Sequence, residues 1–124
     1  MSAQQNKEAA EAGYRAFAAG DAAAAMKDMD DRVEWTARGD SALTGTYNGK
    51  QEIGELWAKM AGKGLKTEPR DFLADGDKVV VLTTVTLDGE SAESADVLTY
   101  NEAGKMIAFE QFGDPAIANR AFPS

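Results

Sequence analysis

The chain can move protons only with carboxylates, tyrosines and lysines, because its 124 residues include no His and no Cys. That absence removes His-containing triads, thiolate zinc sites, iron–sulfur clusters, disulfides and the near-neutral imidazole shuttle. Acid–base work falls to groups whose ordinary pKa values lie far from neutrality, so a working group needs a protein environment that shifts it. Local motifs add little. The segment DMDD (Asp28–Asp31) is acidic but lacks the length and turn glycine of a calcium loop, and reads as a solvated helix end. GKGLK (Gly62–Lys66) lacks the spacing and the Ser/Thr of a phosphate loop, and no Gly-x-Ser-x-Gly occurs.

Thirteen basic against 21 acidic side chains give a formal net charge of −8. The positive charges are scattered singly, which excludes the basic stripe of a nucleic-acid binder and disfavours an anionic lipid surface. No apolar run approaches the ~20 residues of a membrane span. The segment MSAQQNKEAAEAG lacks the plan of a signal peptide, so a cytoplasmic location is expected. Length and the absence of any linker or repeat lead us to expect one domain over residues 1–124.

The elements that must position any site follow from periodicity. Alanine, the best helix former, crowds Ala9 to Ala25. Ala10, Tyr14, Phe17 and Ala18 make one helical face. Gly20 and Asp21 suit a C-cap and the N-cap of a second helix over Ala22 to Met29. Val33–Thr36 alternates as a short strand, followed by a loop through Gly49. Ile53, Leu56, Trp57 and Met60 mark an amphipathic helix from Lys50 to Ala61. The period then becomes two. Strands are expected at Leu65–Ala74, Lys78–Leu87, Ser94–Tyr100 and Lys105–Phe112, joined by short polar turns containing Gly. Asp114 as N-cap and Pro115 open a short closing helix to Phe122. Helices followed by hairpin-linked strands make an α+β plan.

The ordered set YRAFAAGD, DDRVEW, LTGTYNGKQEIGELW, LADGDKVVVLTTVTL and DVLTYNEAGKMIAFEQFGD, from about Glu8 to Phe122, resembles the SnoaL-like branch of the nuclear transport factor 2-like superfamily. Ketosteroid isomerase, limonene epoxide hydrolase and the polyketide cyclases belong to the same superfamily. The resemblance implies a cone-shaped α+β barrel: a curved, mostly antiparallel sheet on three helices in the N-terminal half, with a short C-terminal helix. It implies a deep apolar pocket, no cofactor, and a homodimer through the outer sheet face. Asp96 matches the isomerase Asp that stays protonated in an apolar pocket and donates to an oxyanion. A desolvated carboxyl pointing inward has a raised pKa and can act so; pointing outward it serves only solvent or the backbone. Tyr14 takes the isomerase tyrosine's place only if the first helix differs in register by one, and otherwise packs beside Phe17. The isomerase base falls on Trp35 or Thr36, neither of which can abstract a proton. The charged pair of the epoxide hydrolase falls on LTTVTL, and the acid of the last strand on Gln111, whose amide can orient a water or carbonyl.

Alternation and resemblance together direct Ile107, Phe109 and Gln111 inward from the last strand, Trp35 from the first and Trp57 from the third helix. Val81, Thr83 and Val85 are expected to line the middle, with Tyr47 and Asn48 at the rim. Such walls suit a small hydrophobic molecule, and each residue is equally suited to plain core packing. Three functions fit. The chain could be an isomerase or cyclase acting on an apolar carbonyl compound, with Asp96 as acid or oxyanion donor assisted by Gln111 and Tyr14. It could instead be a non-catalytic binder of a small hydrophobic ligand, or a dimeric interaction module.

Overall fold

A computed structural model describes residues 2–124. Helix α1 spans Ala3–Ala18 and starts at a reciprocal cap. The Ser2 hydroxyl accepts from the Gln5 backbone N–H at 3.1 Å while the Gln5 side-chain Oε1 accepts from the Ser2 N–H at 3.0 Å. Gly20 follows at φ 79°, the left-handed position that ends helices. Helix α2 is only Ala22–Ala25, capped by Asp21 as expected. It stops short of Met29 because the chain turns through Met26–Asp28 into β1 (Met29–Ala37), a longer strand than the alternation at 33–36 reveals. Strand β2 (Gly45–Asn48) lies within the expected loop and pairs with β1. Helix α3 is Gly49–Ala61.

The remaining strands are β3 (Lys66–Asp75), β4 (Lys78–Leu87), β5 (Glu90–Tyr100) and β6 (Met106–Gly113), followed by α4 (Ala116–Ala121). Asp88 and Gly89, both at positive φ, join β4 to β5 in the tight turn that matches strand twist. The six strands form one sheet ordered β2-β1-β6-β5-β4-β3, in which only β1 and β6 run parallel. The α+β class, the mostly antiparallel curved sheet and the placement of the helices agree with expectation. The core lies between α1, α3 and one sheet face, with Ile53, Val33, Val79 and Val81 fully buried. Each contributes about 1.5–3 kcal/mol of burial.

Two irregularities reset which residues face that core. In β6 the register passes from Thr99↔Ala108 to Tyr100↔Met106, so Ile107 is the extra residue of a bulge. In β3 the register shifts between Pro69 and Asp71, leaving Arg70 unpaired in the ladder. Arg70 reaches outward to Glu93 and Thr84.

The C-terminal helix lies against the loop before β2 and the start of β5. Arg120 grips Glu90 at 2.7–3.1 Å, Asn119 accepts from the Asp40 N–H at 2.8 Å, and Ser41 bridges to Pro123. Gly39 makes this seat possible. It adopts φ +103°, and a Cβ there would lie 2.6 Å from the Pro115 Cβ. Gly20 also has positive φ but has nothing within 4 Å of such a Cβ. Gly20→Ala should therefore cost about 1 kcal/mol of backbone strain, and Gly39→Ala about 3 kcal/mol or more. Urea unfolding of both variants checks this, and equal losses would show that the α4 contact is not tight.

Candidate functional site

Asp96 lies mid-way along β5 on the same face as Leu98 and Tyr100, because successive residues of a strand alternate faces. That face is covered by α1, and Asp96 is only 1% exposed. Its cross-strand neighbours are Val81 on β4 and Gln111 on β6. The Tyr14 hydroxyl descends from α1 and donates to Asp96 Oδ2, and the Ser94 hydroxyl donates to Oδ1 at 3.3 Å. Burial pushes the Asp96 carboxyl up from its ordinary pKa, opposed by hydrogen bonds from Tyr14, Gln111 and Ser94. Tyr14 is pushed well above the ordinary tyrosine range by burial and then by the Asp96 charge, so its hydroxyl keeps its proton. The three residues assigned polar roles in the sequence thus meet at one point. Tyr14 reaches Asp96 from its own register on α1, and its ring also meets Phe72 edge-on, with centroids 5.6 Å apart.

Beside this cluster opens a cavity of about 300 Å³. Trp35 stacks on Phe109 with centroids 3.5 Å apart and planes 11° from parallel. Trp57 meets Trp35 edge-on at 5.6 Å and Phe17 at 4.8 Å. These aromatics pack against one another and form a wall, leaving the space beside them open. Asp96, Gln111, Tyr14, Trp35, Trp57, Val85 and Phe109 all line the cavity. Val81 and Thr83 are on the expected face but sit fully buried away from the cavity, in the core. Ile107 is a correction: the bulge reverses its side, so it lies on the outer face, 38% exposed, and Met106 takes the inward place. Tyr47 and Asn48 do not line the cavity either. The Tyr47 hydroxyl donates to the Leu43 carbonyl at 2.6 Å and its ring packs against the core. Asp114 lines the mouth, and its carboxylate accepts from the Ala116 N–H at 2.9 Å, a local turn one residue ahead of the helix.

Sequence reasoning missed Ser94. Its signal was the i, i+2 spacing to Asp96 within the expected strand Ser94–Tyr100, which the structure extends back to Glu90. Ala92, Ser94, Asp96, Leu98 and Tyr100 share the inward face, and all five line the cavity.

Comparison with known proteins agrees with this fold. The profile of the SnoaL-like domain matches residues 10–109. Among solved structures, a protein from a soil-derived mobile gene cassette is 22% identical, with 97% of this chain and 98% of that one covered and a TM-score of 0.88. TerC, co-crystallised with polyporic acid, is 28% identical over 97% of this chain and 99% of its own, with a TM-score of 0.83. A nuclear transport factor 2-like protein of unknown function from Burkholderia pseudomallei is 25% identical over the whole of both chains, also at 0.83. No curated protein is similar enough in sequence to match.

The raised Asp96 pKa has a consequence for stability. The folded state binds the carboxyl proton more tightly than the unfolded chain does, so this residue's contribution is complete in acid. It is lost as pH rises above the ordinary carboxylate range and through the raised value. Asp96→Asn cannot ionise. The variant's melting temperature relative to the native protein should therefore climb as pH goes from 4 to 8. A difference that is flat or falls with pH would mean that the carboxyl is not held up by burial.

Proposed function

The chain belongs to the SnoaL-like domain family, and from that premise we propose that it is an isomerase or cyclase acting on a small, flat, apolar carbonyl compound bound beside Asp96. The observation that carries this reading is the Asp96 carboxyl, almost wholly buried yet lining a cavity and joined to the Tyr14 hydroxyl. A buried acid in a cleft with a shifted pKa is the arrangement that acid–base chemistry needs. The neutral carboxyl donates a hydrogen bond to the substrate carbonyl oxygen, with the Gln111 amide as a further donor, while the Tyr14 hydroxyl, whose one proton goes to Asp96, holds that carboxyl in place. These fixed dipoles stabilise the enolate that forms when an α-proton leaves, and they need little reorganisation as it forms.

No acid or base occupies the positions of Trp35 and Thr36, so water at the mouth of the cavity takes the α-proton. The proton returns to carbon at the new position, and the isomerisation is balanced. In the cyclase variant the enolate carbon attacks a second carbonyl of the same molecule and that oxygen takes the proton. The Trp35–Phe109 stack gives the ligand's ring a flat apolar surface. Support for such a ligand also comes from TerC, 28% identical and co-crystallised with polyporic acid. We further assign the outer sheet face to a homodimer contact, since Leu73 and Phe112 lie there 54% and 45% exposed.

The test is α-proton exchange into D2O, followed by NMR, for a panel of 2-tetralone and a steroid enone. At least one should exchange or convert faster with the protein. Asp96→Asn should lower that rate by about 10²–10³-fold while binding remains. The native rate should fall as pH rises through the raised Asp96 pKa, because the acid form is the working one. Binding with no acceleration, unchanged in Asp96→Asn, would make the cavity that of a non-catalytic binder.

A further inference from the structure

Asp96 is not the only polar group turned into the cavity. Tyr100, the last residue of β5, follows Asp96 at i+4 on the same inward face and is 4% exposed. At roughly 3.3 Å per residue their backbones lie about 13 Å apart. The Tyr100 ring lines the cavity. Its hydroxyl has no hydrogen-bond partner among the described residues, yet it is not among the polar atoms sealed away without one, so it opens onto the cavity space. The other polar side chains around it have partners of their own: Tyr14 and Ser94 hold Asp96, and Asn101 holds Asp30 and the Lys105 N–H. Trp57 Nε1 and Asn6 Oδ1 also lack partners, but unlike the Tyr100 hydroxyl both are sealed from solvent space. An unpartnered buried hydroxyl costs free energy that a phenylalanine at the same position would not.

We propose that Tyr100 is a second recognition point, which takes a neutral oxygen on the end of the ligand remote from Asp96. The inference rests on the cavity being the binding site for an apolar carbonyl compound, and it narrows that class to flat molecules with two oxygen functions. Between the two points the walls are apolar, with Leu98 on the strand, Ala10 on α1 and Phe109 on β6. A hydroxyl carries no charge to offset the desolvation of an anion, so a neutral oxygen is the better match. Lys27 and Asp28 both line the cavity, with Asp28 paired to Lys105 at 3.9 Å. Burial and Asp28 both push the Tyr100 pKa up, so the hydroxyl remains a proton donor. A carbonyl, phenol or ether oxygen is the complementary group.

The probes are 2-tetralone and 6-hydroxy-2-tetralone, which share a ring skeleton and differ in the distal oxygen. Isothermal titration should give the native protein about tenfold tighter binding of the hydroxylated probe, equivalent to about 1.4 kcal/mol. Tyr100→Phe should erase that preference by weakening the hydroxylated probe alone, leaving 2-tetralone within twofold. Without ligand, the variant should melt at the native temperature or higher, because no protein hydrogen bond is lost. The proposal is overturned by a preference that survives in Tyr100→Phe, by equal weakening of both probes, or by a variant that melts several degrees lower. Absence of preference or of binding in the native protein overturns it too. Asp96→Asn separates the two readings. A distal preference that persists in this variant, with no accelerated exchange in the native protein, sinks catalysis and leaves Tyr100 in its role. Accelerated exchange with no distal preference does the reverse.

Discussion

A carboxyl group taken almost entirely out of water is the constraint around which the molecule is arranged. Burying a charge unpaired is costly, and a protein escapes the cost by neutralising the group, by hydrogen-bonding it, or both. Asp96 shows both responses. Its pKa rises, and hydroxyls from Tyr14 and Ser94 close on its two oxygens. Those donors come from different elements. Ser94 arrives by strand alternation, whereas Tyr14 needs α1 laid across the sheet face at the right height. The capped start of α1, its glycine-terminated end and its packing on β3 and β4 thus bear directly on the site.

The cavity exists because its aromatic side chains satisfy each other. Trp35, Phe109, Trp57 and Phe17 form a continuous stacked and edge-on cluster. The edge-on contacts of Trp57 with Trp35 and Phe17 are a favourable geometry for such rings. With the large rings packed on one another, the cavity is also lined by Ala9, Gly13 and Ala25, whose small side chains leave space open. At the mouth, α4 is fixed by the Arg120–Glu90 pair and by backbone contacts to residues 40–42. The Arg120–Glu90 pair is exposed and bidentate, so its value is geometric more than energetic. The helix therefore borders the opening and does not plug it.

Much of the fold was legible because it is written locally. Period-two alternation from Lys78 to Leu87, the Asp-Gly turn at 88–89 and the Ile53/Leu56/Trp57/Met60 stripe each specify an element with no help from distant residues. Errors arose where a distant partner decides. The four residues of β2 become a strand only by pairing with β1. The four-residue α2 yields to β1, whose first residue is paired with Met106. Ile107 turns outward because β6 carries one residue more than β5 opposite it, and a single extra residue reverses every inward assignment on that side of the bulge.

What the sequence determined by itself was the chemistry on offer. Without His or Cys, the chain's own proton donors and acceptors are carboxyls, tyrosines and lysines, and the ordered segments placed Asp96, Tyr14 and Gln111 as the groups to watch. Only the tertiary structure decided that they meet. Whether a carboxyl on a strand faces water or a helix depends on which face the rest of the chain covers, and no local pattern encodes that. The same holds for Tyr100. Its hydroxyl is an ordinary tyrosine in sequence and becomes an unsatisfied donor only when the sheet curls, the helices close over it, and no partner is left within reach.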